Sequence, residues 1–159
     1  MACALVIPGY LFRVSVQPPD PAFVFDLDGT LVDSVYQHVF AWQRALADTD
    51  IAIPIWRVHR RIGMGSDLLA AGVLRESGHQ LTDEERNRLT ELHGMYYAEL
   101  SGSVQPLPGA RELLDRLDEL GLAWGIATSG AKEETAPVLQ MLGVEGRWPV
   151  VTGADVPFA

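Results

Sequence analysis

Two aspartates, Asp26 and Asp28, follow the apolar run Ala22-Phe23-Val24-Phe25 and are themselves followed by Gly29-Thr30. Residues two apart in an extended segment point the same way, so both carboxylates can share one side at the end of a buried strand. Nearby like charges raise the pKa of one carboxyl, which would leave one ionised group as nucleophile and one holding a proton near neutral pH as general acid. A carboxylate, a main-chain carbonyl and waters also suit Mg²⁺. The same residues could instead terminate a strand and cap the next turn, a common use of Asp. A second polar turn, Thr128-Ser129-Gly130, follows the apolar run at residues 122–127. Ligands of an open parallel sheet gather beyond the carboxyl ends of its strands, so the two turns should converge on one crevice.

The elements that must position these turns alternate along the chain. After the first strand, Ser34 and Gln37 have the spacing of a capping box, and Val35, Val39, Trp42 and Leu46 recur at helical intervals. Residues 55–62 and 67–75 read as helical, separated by Gly63-Met64-Gly65, and Thr82 with Glu85 repeats the box before Leu89, Leu92, Tyr96 and Leu100. The helical block at 34–103 is too long for a simple crossover and is expected to be an inserted cap. Pro106-Leu107-Pro108-Gly109 punctuates the chain. A helix carrying Leu113, Leu114, Leu117 and Leu120 then runs to Gly121, a strand covers 122–127, a helix with Val138, Leu139 and Leu142 ends at Gly143, and a third strand covers 149–152. Such alternation makes an α/β fold around a parallel sheet. Residues 21–33 and 104–159 form its core; residues 1–20, whose end carries Pro18 and Pro19 just before Pro21, are expected to be an irregular leader.

Composition narrows the function. Across 159 residues, 12 Lys and Arg against 21 Asp and Glu give a net charge of −9, which repels phosphate backbones and argues against nucleic acid as partner. An anionic substrate must therefore be held locally. An apolar fraction of 48% with 21% charged residues is that of a globular chain with a sizeable core. Cys3 is the single cysteine, which excludes an internal disulfide framework and cysteine-based zinc fingers and agrees with a reducing cytoplasm. The opening apolar stretch has no preceding Lys or Arg and is broken by Pro8 and Gly9, unlike a signal peptide. No run approaches the roughly 18 apolar residues of a membrane span, so a soluble, cytoplasmic protein with no membrane partner is expected.

The segment Phe23-Val-Phe-Asp-Leu-Asp-Gly-Thr-Leu-Val-Asp-Ser34 resembles the first motif of the haloacid dehalogenase (HAD) superfamily, hhhhDxDGTLxDS. The resemblance extends over residues 22–159, with the second motif matched by Gly125-Ile-Ala-Thr-Ser-Gly130, and it points to the branch of beta-phosphoglucomutases and phosphoglycolate phosphatases with α-helical caps. It implies an incomplete Rossmann-like parallel sheet and hydrolysis of a small phosphorylated metabolite with Mg²⁺. Asp26 matches the nucleophile that forms an aspartyl-phosphate, and Asp28 the residue that protonates the leaving oxygen and then activates water. The Asp26 carboxylate and the Asp28 carbonyl match the metal ligands. Thr128 matches the hydroxyl that contacts the transferring phosphoryl group, and Gly29, Thr30, Ser129 and Gly130 offer further phosphate contacts; Thr128 alone could also be a helix N-cap. The second carboxylate favours phosphatase chemistry over dehalogenation. Beta-phosphoglucomutases carry an Arg three residues after the cap glycine that Gly63 matches, where this chain has Ser66, so mutase activity is not expected. His38 and Trp42 resemble positions on the first cap helix of those mutases, and His38 is read as a packed helix residue. His59, His79 and His93 receive no role.

Residues 1–159 end at Thr152-Gly-Ala-Asp-Val-Pro-Phe-Ala159, where superfamily members continue into a Lys-Pro segment and an acidic pair. The chain as given is thus expected to be a C-terminally truncated and impaired hydrolase, or alternatively a non-catalytic fragment or a phosphate-binding or interaction module. Lys132, in the helix after Thr128, could approach the site but reads more simply as a solvated first-turn lysine. The strand at Phe23 is expected to keep an unpaired edge, open to self-association or to rescue by leader residues 11–16.

Overall fold

The computed structural model describes residues 4–7, 10–13, 22–78, 82–147, 149–152 and 155. Strands β1 (Ala4–Ile7) and β2 (Tyr10–Arg13) pair antiparallel with each other. The leader was expected to be irregular throughout or to pair with the first core strand; this hairpin corrects both expectations for these residues. Residues 14–16 lie outside the described ones.

The central sheet is parallel, in the order β3 (Ala22–Phe25), β6 (Ala123–Thr128), β7 (Val150–Thr152). Phe23 lies opposite Trp124 and Phe25 opposite Ile126, while Ile126 pairs onward with Val150 and Thr128 with Thr152. Strand β3 is therefore an edge strand among the described residues. Read from its sequence as buried, it is largely exposed, with Phe23 at 43% and Val24 at 73%. An apolar run reports that a strand is sticky, not how many neighbours it finds.

Two short strands, β4 (Val32–Asp33) and β5 (Gln105–Pro106), pair antiparallel, Val32 with Pro106 and Asp33 with Gln105. Leu107 N–H donates to Leu31 C=O at 2.9 Å just beyond them. Between these strands lie α1 (Val35–Ala47), α2 (Ile55–His59), α3 (Ser66–Ser77) and α4 (Asp83–Leu100). The block is broken by turns and is not continuously helical. The Thr82 box at the start of α4 forms as its spacing predicts, the Thr82 hydroxyl accepting from Glu85 N–H and the Glu85 carboxylate accepting from Thr82 N–H. No described helix is long and apolar enough to cross a membrane.

Burial divides along the same line. Ala41, Trp42, Leu46, Val58, Leu89 and Tyr97 belong to one apolar cluster, drawn wholly from the helical insertion. Leu27, Val32, Leu114, Trp124, Ile126 and Val138 belong to a second, which packs α5 (Ala110–Glu119) and α6 (Lys132–Leu142) around the sheet. On α5, Leu114 is fully buried whereas its neighbour Leu113 is 43% exposed, so the two leucines that read alike in sequence differ in weight. Leu114→Ala is expected to lower unfolding free energy by about 2–5 kcal/mol and Leu113→Ala by less than about 1 kcal/mol, measured by urea denaturation.

Candidate active site

The turn after β3 is shaped by its own backbone. Gly29 N–H donates to Val32 C=O at 2.8 Å, and Leu31 N–H to Leu27 C=O at 2.9 Å. Leu27 is buried and anchors the turn in the core, so Asp26 and Asp28 on either side of it are held at the surface of the sheet's carboxyl end. Gly29 has φ +78°, and a Cβ there would lie 2.7 Å from Val35 Cγ2, at the start of α1. No other residue type fits this left-handed, crowded position without strain.

Asp28 is the more enclosed carboxylate. Its Oδ1 accepts from Ser34 Oγ at 2.5 Å and meets His38 Nε2 at 3.3 Å, and the Thr128 hydroxyl lies near enough to add a smaller favourable influence. Burial pushes its pKa up, but the bond and charge of His38, then Ser34 and Thr128, outweigh it and hold the carboxyl below its ordinary value. The member of the pair expected to hold a proton is thus the one whose proton affinity these partners lower. Ser34 was read as half of a capping box; its hydroxyl makes no bond to the helix and turns to Asp28, while Gln37 donates to Ser103 Oγ at 3.0 Å. Because Ser34 and His38 are four apart, one face of α1 presents both to the same carboxylate. His38, read as a packed residue, is packed and also faces the site.

Asp26 is exposed, and its carboxylate accepts a long 3.4 Å bond from the Thr30 hydroxyl. Strand β6 brings the second turn alongside. Thr128 is buried, and its hydroxyl oxygen accepts from Gly130 N–H at 3.0 Å; the N-cap of α6 is Ala131, so Thr128 is not the cap. A Cβ on Gly130 would stand 3.1 Å from Thr135 Oγ1, which leaves a small residue as the comfortable choice. Ser129 Oγ donates at 3.4 Å to the carbonyl of Gly63, in the loop between α2 and α3. Asp26, Asp28, Ser129 and Gly130 therefore face one cleft, which Gly63 and Met64 cover from the helical side and which encloses about 30 Å³. That space holds a water or two. Lys132 does not line this cleft; it pairs with Asp155 at 2.6 Å. His59 is exposed and stacks on Tyr36, and His79 lies outside the described residues.

Behind Asp28 the polar contacts continue. His38 Nδ1 lies 3.2 Å from His93 Nε2, and His93 Nδ1 lies 3.6 Å from Glu134 Oε1. Tyr97 stacks on His38 at 4.0 Å between centroids and Trp42 on His93 at 4.5 Å. Burial, reinforced by His38, pushes the His93 pKa down to about 3, and burial pushes Glu134 and Tyr97 up. His93 had no role in the sequence reading, since its partners are 55 and 41 positions away, 93 − 38 and 134 − 93.

The family described as haloacid dehalogenase-like hydrolase matches residues 21–158. A phosphoglycolate phosphatase from Mannheimia succiniciproducens is 35% identical over 127 residues, covering 76% of this chain and 57% of that protein. The crystal structure of a hydrolase from Pseudomonas syringae aligns with a TM-score of 0.83 at 44% identity, covering 87% of this chain and 64% of that one. A beta-phosphoglucomutase from Clostridium difficile, 23% identical, shares the α/β fold with a TM-score of 0.75 over 88% of this chain and 65% of its own. The chain thus spans under two thirds of the length of each.

Two outcomes follow from this geometry. Gly29→Ala is expected to cost about 1–3 kcal/mol in thermal or chemical unfolding, through φ strain and the clash with Val35. Ser34→Ala, which removes a donor from Asp28, is expected to move the Asp28 carboxyl titration upward in ¹³C-detected NMR.

Proposed function

Because the chain belongs to the haloacid dehalogenase-like hydrolase family, we propose that it is a Mg²⁺-dependent phosphatase of a small phosphorylated metabolite. The observation that carries this reading is the pairing of an exposed carboxylate, Asp26, with an enclosed one, Asp28, across a cleft from the Thr128 turn. Asp26 attacks phosphorus through a carboxylate oxygen while the bond from phosphorus to the ester oxygen breaks, giving an aspartyl-phosphate. Asp28 delivers a proton to the departing oxygen. Its donors keep it ionised when no phosphate is near, and the negative charge of an arriving phosphate raises its proton affinity. Asp28 then takes a proton from the water that attacks phosphorus, which frees inorganic phosphate and regenerates Asp26. In this reading Ser129, which lines the cleft, is a donor for the phosphoryl oxygens, and the Thr128 hydroxyl and Gly130 N–H, which bond to each other at 3.0 Å, would join it on exchanging that bond for phosphate, with Gly29 and Thr30 on the other side.

The donor set fits a hard cation. Among the described residues the Asp26 carboxylate has only the long bond from Thr30 as a side-chain hydrogen bond, so its lone pairs are available. Asp26 and the main-chain carbonyl of Asp28 would hold Mg²⁺, which when bound offsets the repulsion between an anionic nucleophile and an anionic phosphate.

A cleft of about 30 Å³ is too small for a phosphate ester, so the helical layer acts as a cap that must swing away, breaking the Ser129–Gly63 bond. The name of the Mannheimia relative makes phosphoglycolate the first substrate to assay. A second reading, phosphate binding with little turnover, is favoured by one observation: among the described residues, no Lys or Arg lines the cleft. One absent electrostatic partner slows such chemistry by on the order of 10²–10³.

Hydrolysis of phosphoglycolate and of a generic aryl phosphate is expected with Mg²⁺, to be lost on chelation, and to fall by on the order of 10³ in Asp26→Asn. Equal rates for the two proteins would refute the enzyme. Phosphate binding retained without turnover would select the second reading.

A further inference from the structure

The cleft has two chemically different sides. Asp26, Ser129 and Gly130 stand at the strand ends, and the helical insertion faces them with Trp42, Ile62, Met64 and Leu69. Resting on the phosphatase reading, we infer that this facing wall selects the alcohol of the ester: it accepts a small, uncharged, mainly apolar leaving group and disfavours one that carries a carboxylate. Phosphoglycolate, the substrate in the Mannheimia relative's name, is then a poor substrate of this chain beside an apolar ester of the same shape.

In a phosphoryl transfer the attacking and leaving oxygens lie roughly in line, so an ester attacked by Asp26 sends its alcohol away from the strand ends, toward the insertion. Trp42 and Leu69 are each 2% exposed and belong to the insertion's apolar cluster, with Ile62 packed against it, so this wall is fixed. Its main chain has little to offer an anion: Gly63 C=O is an acceptor, already bonded to Ser129, and Met64 N–H donates to Arg61 C=O at 3.1 Å. Both ring nitrogens of His38 face protein partners, Asp28 at 3.3 Å and His93 at 3.2 Å. Burial pushes the His93 pKa down to about 3, so that ring is neutral at pH 7. Asp28 and Glu134, which also line the cleft, are carboxyls and supply no positive charge in either protonation state.

One Lys or Arg on this wall would reverse the preference. Of the chain's 12 Lys and Arg, all but Arg13 belong to the part from residue 22 onward whose side chains are described, and none of those lines the cleft. The ones nearest in sequence to lining residues are engaged elsewhere. Arg44 pairs with Glu99 at 2.6 Å, Arg60 lies 6.0 Å from the Trp56 ring centroid, Arg61 donates to Arg57 C=O at 2.9 Å, and Lys132 pairs with Asp155 at 2.6 Å. A substrate carboxylate enclosed here would give up its water, find no cation and lie near other carboxyls. An uncompensated charge of that kind weakens binding by on the order of 10²–10³.

Phosphoglycolate and isobutyl phosphate, in which two methyl groups replace the carboxylate oxygens, test the inference at pH 7 with Mg²⁺. The wild-type chain is expected to hydrolyse isobutyl phosphate with a kcat/KM on the order of 10²-fold above that for phosphoglycolate. Met64→Lys, at a position 43% exposed, sets a cation at the mouth of the cleft and is expected to narrow that ratio by about tenfold. Equal rates for the two esters in wild type, or a preference for phosphoglycolate, would overturn the inference and leave the phosphatase standing; so would a ratio unchanged in a folded Met64→Lys. If Met64→Lys does not fold, the wild-type ratio alone decides. Hydrolysis of neither ester counts against the function, and the ratio is then read from calorimetric affinities of the same two probes for the wild-type chain. Tighter binding of isobutyl phosphate would uphold the selectivity, whereas equal or reversed affinities, or no binding of either, would overturn it.

Discussion

A carboxylate withdrawn from water destabilises a fold unless donors surround it, and Asp28 is such a group. Its partners come from different parts of the chain: Ser34 just ahead of α1 and His38 one turn further, with the Thr128 hydroxyl at the end of β6 close by. Satisfying one buried charge thus sets the direction in which α1 leaves the sheet and brings the second strand's turn against the first. Asp26, two residues away, is left uncommitted and open to the cleft. The contrast between the two carboxylates, one saturated by the protein and one not, follows from Leu27 between them being drawn into the core.

Much of this was legible beforehand because it is local. The apolar run ending in Asp-x-Asp-Gly-Thr, the two polar turns and the alternation of strand and helix each depend on neighbours in sequence, and β3, β6, α5 and α6 appear where periodicity puts them. The failures share a cause. Ser34 and Gln37 have capping spacing whether the hydroxyl turns to the helix or to a carboxylate six positions earlier, and only tertiary structure chooses. His38 and His93 look like ordinary helix histidines until α1 and α4 pack side by side. The one available hint was the four-residue step from Ser34 to His38. Two-residue strands such as β4 and β5 have no periodicity to read. The downward pull on the Asp28 carboxyl was not legible because a pair of nearby acids was weighed without the donors that would meet one of them.

The two apolar clusters lie on either side of the cleft, with polar contacts between them. Each cluster is drawn from one side of a polar seam, which includes the Ser129–Gly63 bond, the Asp28–His38 contact and the His93–Glu134 contact. By contrast the outer edge of β3 shows aromatic and aliphatic surface that neither cluster covers.

The ladder of β4 and β5 places the departure and return of the inserted helices side by side. A guest tethered at two adjacent points asks little of its host, because loop-closure entropy grows only with the logarithm of its length. Descent with modification can therefore lengthen, shrink or exchange the roof wholesale. Such a roof can be exchanged as a module while the strand ends beneath it keep their place.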